Sequence, residues 1–166
     1  MKKIVNDPHR RKFLEKLTWA GAASFFGTLP MLHATGKNND EVKPISLIID
    51  ADTANEVDDA FAIARALVEP RFDIKGLCSA QWHTQANAPN DSVGSSQQMN
   101  EELLTLMGRS DIPHPMGSNI PMVSQLRPQP SLAARLIIEE AHKMPAGEKL
   151  TVLTLGPATN TASALL

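Results

Sequence analysis

The chain has 166 residues, with 16 Lys plus Arg, 18 Asp plus Glu and a formal net charge of -2 at pH 7. This length accommodates one ordinary domain, and a composition of 42% hydrophobic and 20% charged residues is typical of a globular chain rather than a disordered one. The near-neutral balance argues against a nucleic-acid-binding surface, which needs clustered Lys and Arg, and the single cysteine, Cys78, excludes an internal disulfide.

The first 34 residues have the layout of an export signal. Arg10 and Arg11 stand shortly before Phe13-Leu14, and a weakly apolar run follows over residues 17–32. That run is too short and too weakly apolar for a membrane span. The arrangement resembles the twin-arginine signal, so it implies recognition by the twin-arginine export machinery and a mature chain that is periplasmic or extracellular in a bacterium. The alternative is an amphipathic first helix of the folded domain.

After a polar linker at 35–44, predicted strands and helices alternate along the chain. The strands are predicted at 45–49, 72–80 and 149–155, and the helices at 57–68, 96–107, 134–144 and from 158 onward. This order is typical of an α/β fold with a parallel sheet flanked by helices. The strand at 149–155 is expected to be buried on both faces inside a complete parallel sheet, and to expose apolar surface and an unpaired edge in a chain without later strands. The first helix is expected to form its apolar face from Val57, Phe61, Ala64, Leu67 and Val68.

Five acidic residues fall within ten positions directly after the first predicted strand: Asp50, Asp52, Glu56, Asp58 and Asp59. In a parallel α/β sheet, ligands bind at the carboxyl ends of the strands. The positive end of a helix dipole favours acids in the first turn, which accounts for one or two of the five. Because unpaired carboxylates this close repel one another, a hard divalent cation such as calcium is predicted here, with a merely solvated turn as the alternative.

This segment differs from two known acidic loops in the order of its residues. An EF-hand loop needs an acid or Asn at the fifth position and Gly at the sixth, but Ala54 and Asn55 stand there. A phosphatase of the haloacid dehalogenase type has Asp-x-Asp-x-Thr after a strand, and Thr53 comes one position too early. The EF-hand is therefore excluded, and the phosphatase stays open as an alternative.

Three segments together resemble the inosine-uridine-preferring nucleoside hydrolases. The first segment is Asp50-Ala51-Asp52, followed after a loop by Asp58-Asp59-Ala60. The second is residues 103–118, in which a helix is followed by Gly-Arg, Asp-Ile-Pro and Gly. The third is residues 150–165, in which a strand is followed by Gly-Pro-x-Thr-Asn and a helix. The loop between the acid pairs is longer than in the common form, which is typical of a divergent branch. The resemblance implies that residues 45–166 form the N-terminal part of a truncated nucleoside hydrolase-like domain.

The resemblance also implies roles for individual residues. The implied reaction is calcium-dependent hydrolysis of the N-glycosidic bond of a ribonucleoside. Asp52 would bind calcium and act as the base toward water, Asp59 would bind calcium, and Leu155 would offer calcium its backbone carbonyl. Asp58 would bind ribose hydroxyls, and Asp50 would have a supporting role.

Other residues are placed less tightly by the resemblance. The family has an Asn after the second strand, for which Asn87 and Asn90 are the candidates. Thr159 and Asn160 are expected to cap the last helix rather than to touch a ligand. Family members are much longer, and further site residues lie in the part that this chain lacks, so the fragment is expected to be inactive. An exported, non-catalytic module that binds metal or ribose is a second alternative, and a homo-oligomer stays open.

Overall fold

The computed structural model describes residues 43–166. The predicted signal at 1–34 and most of the predicted linker at 35–44 lie outside the described residues. The elements within them are β1 (Ile45–Ala51), α1 (Val57–Leu67), β2 (Phe72–Ser79), α2 (Ser92–Leu106), α3 (Leu132–Lys143), β3 (Thr151–Leu155) and α4 (Thr159–Leu165). Their order and type confirm the predicted α/β fold class. Over this part of the chain, no helix combines the length and apolar character needed to cross a membrane.

The three strands form one parallel sheet in the order β2-β1-β3. β1 lies in the middle, and its residues Leu47–Ala51 are all buried. A nearly continuous apolar run suits this position, because both faces of a central parallel strand are covered by helices. The carboxyl ends of all three strands therefore meet at one edge of the sheet, which is where a ligand site is expected.

Side chains from β1 alternate between two apolar layers on the two faces of the sheet. One layer contains Leu47 and Ile49 with Ile63 of α1 and Leu104 of α2. The other contains Ile48 with residues of α3 and Val152 of β3. The pairing of β1 with β2 shifts by one residue, since Leu47 lies opposite Ile74 and Ile48 opposite Gly76. Lys75 is the extra residue of this bulge.

In the described part of the chain, the strand at 149–155 has the open edge that is expected in a chain without later strands, and it is not buried on both faces as it would be inside a complete sheet. β3 forms pairs with β1 alone among the described strands, so it lies at an edge of the sheet. Its residues are exposed or half-buried, and Leu153 is 39% exposed. The apolar composition of the strand was identified correctly, but its burial depends on a neighbour that residues 43–166 do not provide.

The predicted apolar face of α1 is also partly wrong. Val57 is 74% exposed and Phe61 is 72% exposed, and Val68 beyond the helix end is exposed too. The buried positions are Ile63, Ala66 and Leu67, which follow the i, i+3, i+4 spacing of a helix face. Apolar residues occur on more than one side of this helix, so periodicity alone did not identify the inner side.

Two helices begin earlier than predicted because a side chain caps each start. α2 begins at Ser92 rather than 96, since Asp91 accepts a hydrogen bond from the Gly94 amide at 3.0 Å. α3 begins at Leu132 rather than 134, since the hydroxyl of Ser131 accepts one from the Ala134 amide at 3.1 Å. Such caps satisfy amide groups that have no partner within the helix.

Candidate active site

Acidic side chains collect where β1 ends and α1 begins. Asp50 is wholly buried and Asp52 is 5% exposed, whereas Asp59 is half-buried and Asp58 is exposed. Glu56, the residue before α1, is exposed as well. The structure thus separates the five acids into an inner pair from the strand and an outer group at the start of the helix.

The turn between β3 and α4 packs directly against Asp52. The amide of Asp52 donates a hydrogen bond to the Leu155 carbonyl at 3.1 Å. Gly156 follows with φ +115°, and a Cβ atom there would collide with the Asp52 carboxylate. The residue before Gly-Pro and the predicted base are therefore neighbours in space, as the resemblance implied.

Burial and mutual repulsion raise the pKa values of the acids around Asp52. Burial is the main cause of the raised pKa of Asp52, and a hydrogen bond from Asn55 Nδ2 to its Oδ2 at 3.2 Å acts in the opposite direction. The pKa of Asp59 is raised to about 6, first by burial and then by the charges of Asp52 and Asp58. Asp52 and Asp59 thus lie close enough for each to affect the ionisation of the other.

The carboxylate of Asp50 is held by two side chains from the first turn of α4. Asn160 Nδ2 donates to its Oδ1 at 2.9 Å, and Thr161 Oγ1 donates to its Oδ2 at 3.0 Å. Burial still raises the pKa of Asp50 overall, although both hydrogen bonds act to lower it. The expectation that Thr159 and Asn160 cap α4 is wrong, because Ala158 occupies the cap position and no side chain caps that start.

A second buried contact holds the loop after Asp52. Thr53 Oγ1 donates to Asn100 Oδ1 of α2 at 2.6 Å, and both residues are almost completely buried. The Asn100 Nδ2 atom has no hydrogen-bond partner within the described residues. The phosphatase alternative relied on a threonine near this position, and in this chain that threonine anchors the loop to a helix.

Asn87 and Asn90 both lie exposed in the loop between β2 and α2. The contact made by Asn90 is through its backbone carbonyl, which accepts from Asn119 Nδ2 at 2.7 Å. The buried polar side chain that directly follows β2 is Gln81, which donates to Thr159 Oγ1 at 3.3 Å and accepts from the His83 amide at 2.8 Å. Gln81 was missed because an isolated glutamine in a polar stretch gives no local signal of burial.

The oxygen donors at this edge are chemically suited to a hard divalent cation. Among residues 43–166, no Lys, Arg or His forms an ion pair with Asp52, Asp58 or Asp59. Over the same residues, no group of three or more His, Cys, Asp or Glu side chains is gathered for metal binding. The predicted calcium ligands include two such side chains, those of Asp52 and Asp59. The third predicted ligand is the Leu155 carbonyl oxygen, which has a second lone pair besides the one that accepts from the Asp52 amide. The donors present therefore fit calcium but form only part of its usual shell of six to eight oxygens.

Fold and site together define an α/β protein with an acidic site at the carboxyl edge of a parallel sheet. The family model described as inosine-uridine preferring nucleoside hydrolase matches residues 47–166, which contain every acid of this site. The chain therefore belongs to the inosine-uridine preferring nucleoside hydrolase family.

Individual relatives agree with this family membership. The pyrimidine-specific ribonucleoside hydrolases RihA of Citrobacter koseri and Salmonella arizonae are 27% and 28% identical to this chain, in matches that cover 71% of it and 41% and 42% of the relatives. A solved plant nucleoside hydrolase, the PpNRh1 enzyme, matches with a TM-score of 0.57 and 25% identity over 74% of this chain and 42% of its own. The chain thus spans about two fifths of the length of these relatives.

Proposed function

We propose that this chain supplies the base and part of the calcium site of an enzyme that hydrolyses the N-glycosidic bond of ribonucleosides. The observation that carries the proposal is the packing of the Leu155-Gly156 turn against Asp52 within the segment that the family model matches. The printed names of the RihA relatives, which are pyrimidine-specific ribonucleoside hydrolases, support a ribonucleoside as the substrate class.

The chemistry of the reaction assigns a task to Asp52. Water adds to the anomeric carbon of the ribose while the bond from that carbon to the nucleobase breaks, and the departing nucleobase takes up a proton. Positive charge develops on the sugar as the bond breaks, as in other glycoside cleavages. The ionised Asp52 carboxylate accepts a proton from the attacking water. Asp52 is almost completely buried, and the hydrogen bond from Asn55 Nδ2 to its Oδ2 at 3.2 Å restricts the orientation of the carboxylate.

Asp52, Asp59 and the Leu155 carbonyl are the groups in this chain that would hold calcium. Bound calcium would neutralise the carboxylates and hold a water and sugar hydroxyls at the site. Asp58 is exposed at the start of α1, so its carboxylate is free to accept hydrogen bonds from a ribose. Asn87 and Asn90 remain proposed substrate ligands, and their exposure in the β2–α2 loop leaves their side chains accessible.

The cellular setting is part of the same proposal. The Arg10-Arg11 segment supports export through the twin-arginine machinery, and hence a periplasmic or extracellular enzyme. Since the chain spans about two fifths of its relatives, we also infer that the 166-residue polypeptide alone does not turn over nucleosides.

The test is ribose release from uridine, cytidine and inosine, with calcium and with a chelator in excess, by the full-length protein, by which we mean a polypeptide that contains this chain and spans the length of its relatives. We expect calcium-dependent release, and a loss of at least about a hundredfold in the Asp52→Asn variant, as for removal of a general base. Asp73→Asn is the control, because Asp73 is an exposed acid that pairs with Lys75 at 2.6 Å.

Other outcomes would replace the proposal by a different function. Hydrolysis of a phosphate ester with magnesium, without ribose release, would indicate the phosphatase. Binding of a nucleoside with calcium, without turnover, would indicate a non-catalytic module. Equal activity of Asp52→Asn and Asp73→Asn would show that Asp52 is not the base.

A further inference from the structure

A buried amide at the start of α4 joins four segments of the chain. The side chain of Asn160 is wholly buried, and its Nδ2 donates to Asp50 Oδ1 at 2.9 Å and to the Ser79 carbonyl at 3.0 Å. Its Oδ1 accepts from the Ser118 amide at 3.0 Å and from Ser131 Oγ at 3.2 Å. Every hydrogen-bonding atom of the amide thus has a partner on another segment of the chain.

Thr161 completes the attachment of α4 to the sheet. Its Oγ1 donates to Asp50 Oδ2 at 3.0 Å and lies 3.1 Å from Thr154 Oγ1 of β3. Asp50 therefore uses both carboxylate oxygens to bind two consecutive residues of α4. We call these three residues, Asp50, Asn160 and Thr161, the α4 clamp.

The position of the clamp connects it to the site. Asp50 lies two residues before Asp52 on the same chain segment, while Asn160 and Thr161 lie just after the Leu155-Gly156 turn. Both ends of the clamp are thus within a few residues of the contact between that turn and Asp52. Fixing α4 to Asp50 limits the movement of the Gly156 backbone relative to the Asp52 carboxylate, and it keeps the Leu155 carbonyl at the edge of the site.

We propose that Asn160 and Thr161 are positioning residues that act through Asp50 to hold the Leu155-Gly156 turn against Asp52. The effect of these residues on calcium binding rests on the proposed function, in which Asp52 and the Leu155 carbonyl are calcium ligands. Asp50 thereby gains a defined task, which is to anchor α4 and not to bind ligand. The effect of the clamp on the turn is independent of whether calcium binds.

The test measures the exchange of two backbone amides in the full-length protein by NMR. The Asp52 amide donates to the Leu155 carbonyl on the β3 side of β1. The Ala80 amide, just after β2, donates to the Ala51 carbonyl at 2.8 Å and serves as the reference on the other side of β1. In Thr161→Val, which keeps the shape of the side chain, we expect exchange at Asp52 to accelerate at least about tenfold relative to Ala80. Thr161→Ser keeps the hydroxyl and should restore the slow exchange.

The control variant lies on the same helix. Ser163 Oγ donates to the Thr159 carbonyl at 2.6 Å and accepts from the Gln129 amide at 3.0 Å, and neither contact involves Asp50. Ser163→Ala should leave the exchange at Asp52 unchanged relative to Ala80. If Thr161→Val accelerates both amides equally, or if Ser163→Ala has the same effect, the clamp contributes only general stability and the inference is wrong.

Calcium affinity, measured by calorimetry on the same variants, separates this inference from the proposed function. We expect the dissociation constant to rise at least about tenfold in Thr161→Val and to stay within about twofold of wild type in Thr161→Ser and Ser163→Ala. If the wild-type protein binds no calcium but shows the expected exchange pattern, calcium is rejected as the cofactor and the positioning role of the α4 clamp stands. Unchanged calcium affinity in Thr161→Val would show that the clamp does not position the donors.

Discussion

Gly156 has two independent reasons to be glycine. Its φ of +115° lies in a region that L-residues with a side chain rarely adopt. In addition, a Cβ at this position would collide with the Asp52 carboxylate. The conformational reason acts at any such turn, whereas the steric reason is specific to this site. A comparison with another glycine of positive φ can therefore separate them.

We predict that Gly156→Ala lowers the free energy of unfolding by about 3 kcal/mol or more, because strain and collision add. Gly147 is the matched control, since it has φ +86° but nothing lies within 4 Å of a Cβ there. Gly147→Ala should cost only about 1 kcal/mol of conformational strain. Urea denaturation followed by circular dichroism measures both. Equal losses would mean that the Asp52 contact adds nothing to the strain.

Thr53 supplies the second residue-scale prediction. Thr53→Val keeps the shape of the side chain but leaves Asn100 Oδ1 without its donor in a buried position. An unsatisfied buried group costs about 1–3 kcal/mol, so we expect a loss of that size. The control is Thr105→Val, because Thr105 bonds the Glu101 carbonyl on an exposed helix surface. A loss for Thr53→Val no larger than for Thr105→Val in thermal or urea unfolding would contradict the prediction.

The acids of the candidate site are easier to identify from the sequence than the residues that support them. Asp50, Asp52, Asp58 and Asp59 are recognisable because their density near a strand end is unusual for a near-neutral chain. Asn160 was interpreted as a cap, because its partner Asp50 lies 110 residues earlier and no local pattern reveals such a contact. Asn100 was missed for the same reason, since its partner Thr53 is 47 residues away.

At the scale of elements, the turn from α1 to β2 is held by a charged group of three residues. Glu69 accepts from Arg71 Nε at 2.8 Å and pairs with Arg65 at 2.5 Å, and its side chain is mostly covered. The two arginines, Arg71 first, lower the pKa of Glu69 to about 2. The Arg71 carbonyl in turn accepts from the Ile45 amide at 2.8 Å, so this turn also fixes the start of β1.

This arrangement predicts a pH dependence of stability. A lowered pKa in the folded state means that Glu69 contributes stability above its ordinary pKa of 4.5, and that this contribution is lost as the pH falls toward about 2. Glu69→Gln should therefore be less stable than wild type at pH 7, and the difference should disappear near pH 2. Urea unfolding at pH 7, 4 and 2 is the measurement.

The control for this prediction is Glu139→Gln. Glu139 pairs with Arg135 at 2.8 Å on the exposed surface of α3, where such pairs contribute little. Its substitution should change stability by a few tenths of a kcal/mol at most at any of these pH values. A difference between wild type and Glu69→Gln that stays constant from pH 7 to pH 2 would rule out the ionised Glu69 as its source.

The N-terminal segment gives a prediction about targeting. Fused to a reporter, residues 1–34 should direct twin-arginine export, because Arg10 and Arg11 precede Phe13-Leu14 and a weakly apolar run. Changing both arginines to lysine keeps the charge and should abolish export, whereas changing Lys2 and Lys3 to arginine should not. Reporter activity outside the cytoplasm that persists in the double lysine variant would reject the assignment.

Element types were predicted well and the burial of elements less well. Strand composition and turn residues set the three strands and four helices of the described region, since these signals are local. The inner face of α1 was predicted wrongly, because burial depends on which other elements pack against a segment. α2 and α3 begin earlier than the sequence predicts, because Asp91 and Ser131 cap their first turns and neither residue is identified as a cap from the sequence.

At the scale of the whole molecule, apolar surface remains open along one side of the sheet. β3 has no second strand partner among the described residues, and Leu153, Leu165 and Leu166 are exposed beside or after it. An open strand edge with apolar neighbours is a template for association between chains. The same surface is where further strands and helices of a longer polypeptide could pack.

We therefore expect the 166-residue polypeptide alone to associate, and to release no ribose from uridine or inosine above background. Size-exclusion chromatography with light scattering measures the first, and a reducing-sugar assay the second. Leu153→Lys should reduce association by placing a charge at the edge, whereas Lys149→Arg, a conservative change just before β3, should not. A monomeric 166-residue chain with calcium-dependent turnover would contradict both expectations.

The bulge at Lys75 has a consequence for how β2 tolerates changes in length. Ile74 and Leu77 are three positions apart, an odd interval, yet both face the layer that contains α1 and α2. In a regular strand, residues an odd interval apart face opposite sides. The bulge therefore changes the phase of the strand, and it brings Gly76 under α3, where a Cβ would approach Leu136 Cδ2 to 2.5 Å. Deleting Lys75 would place Gly76 directly after Ile74 and so restore the regular alternation of a strand. Both halves of β2 would then keep the helix layers that their side chains already meet, so β2 can lose this one residue without turning over.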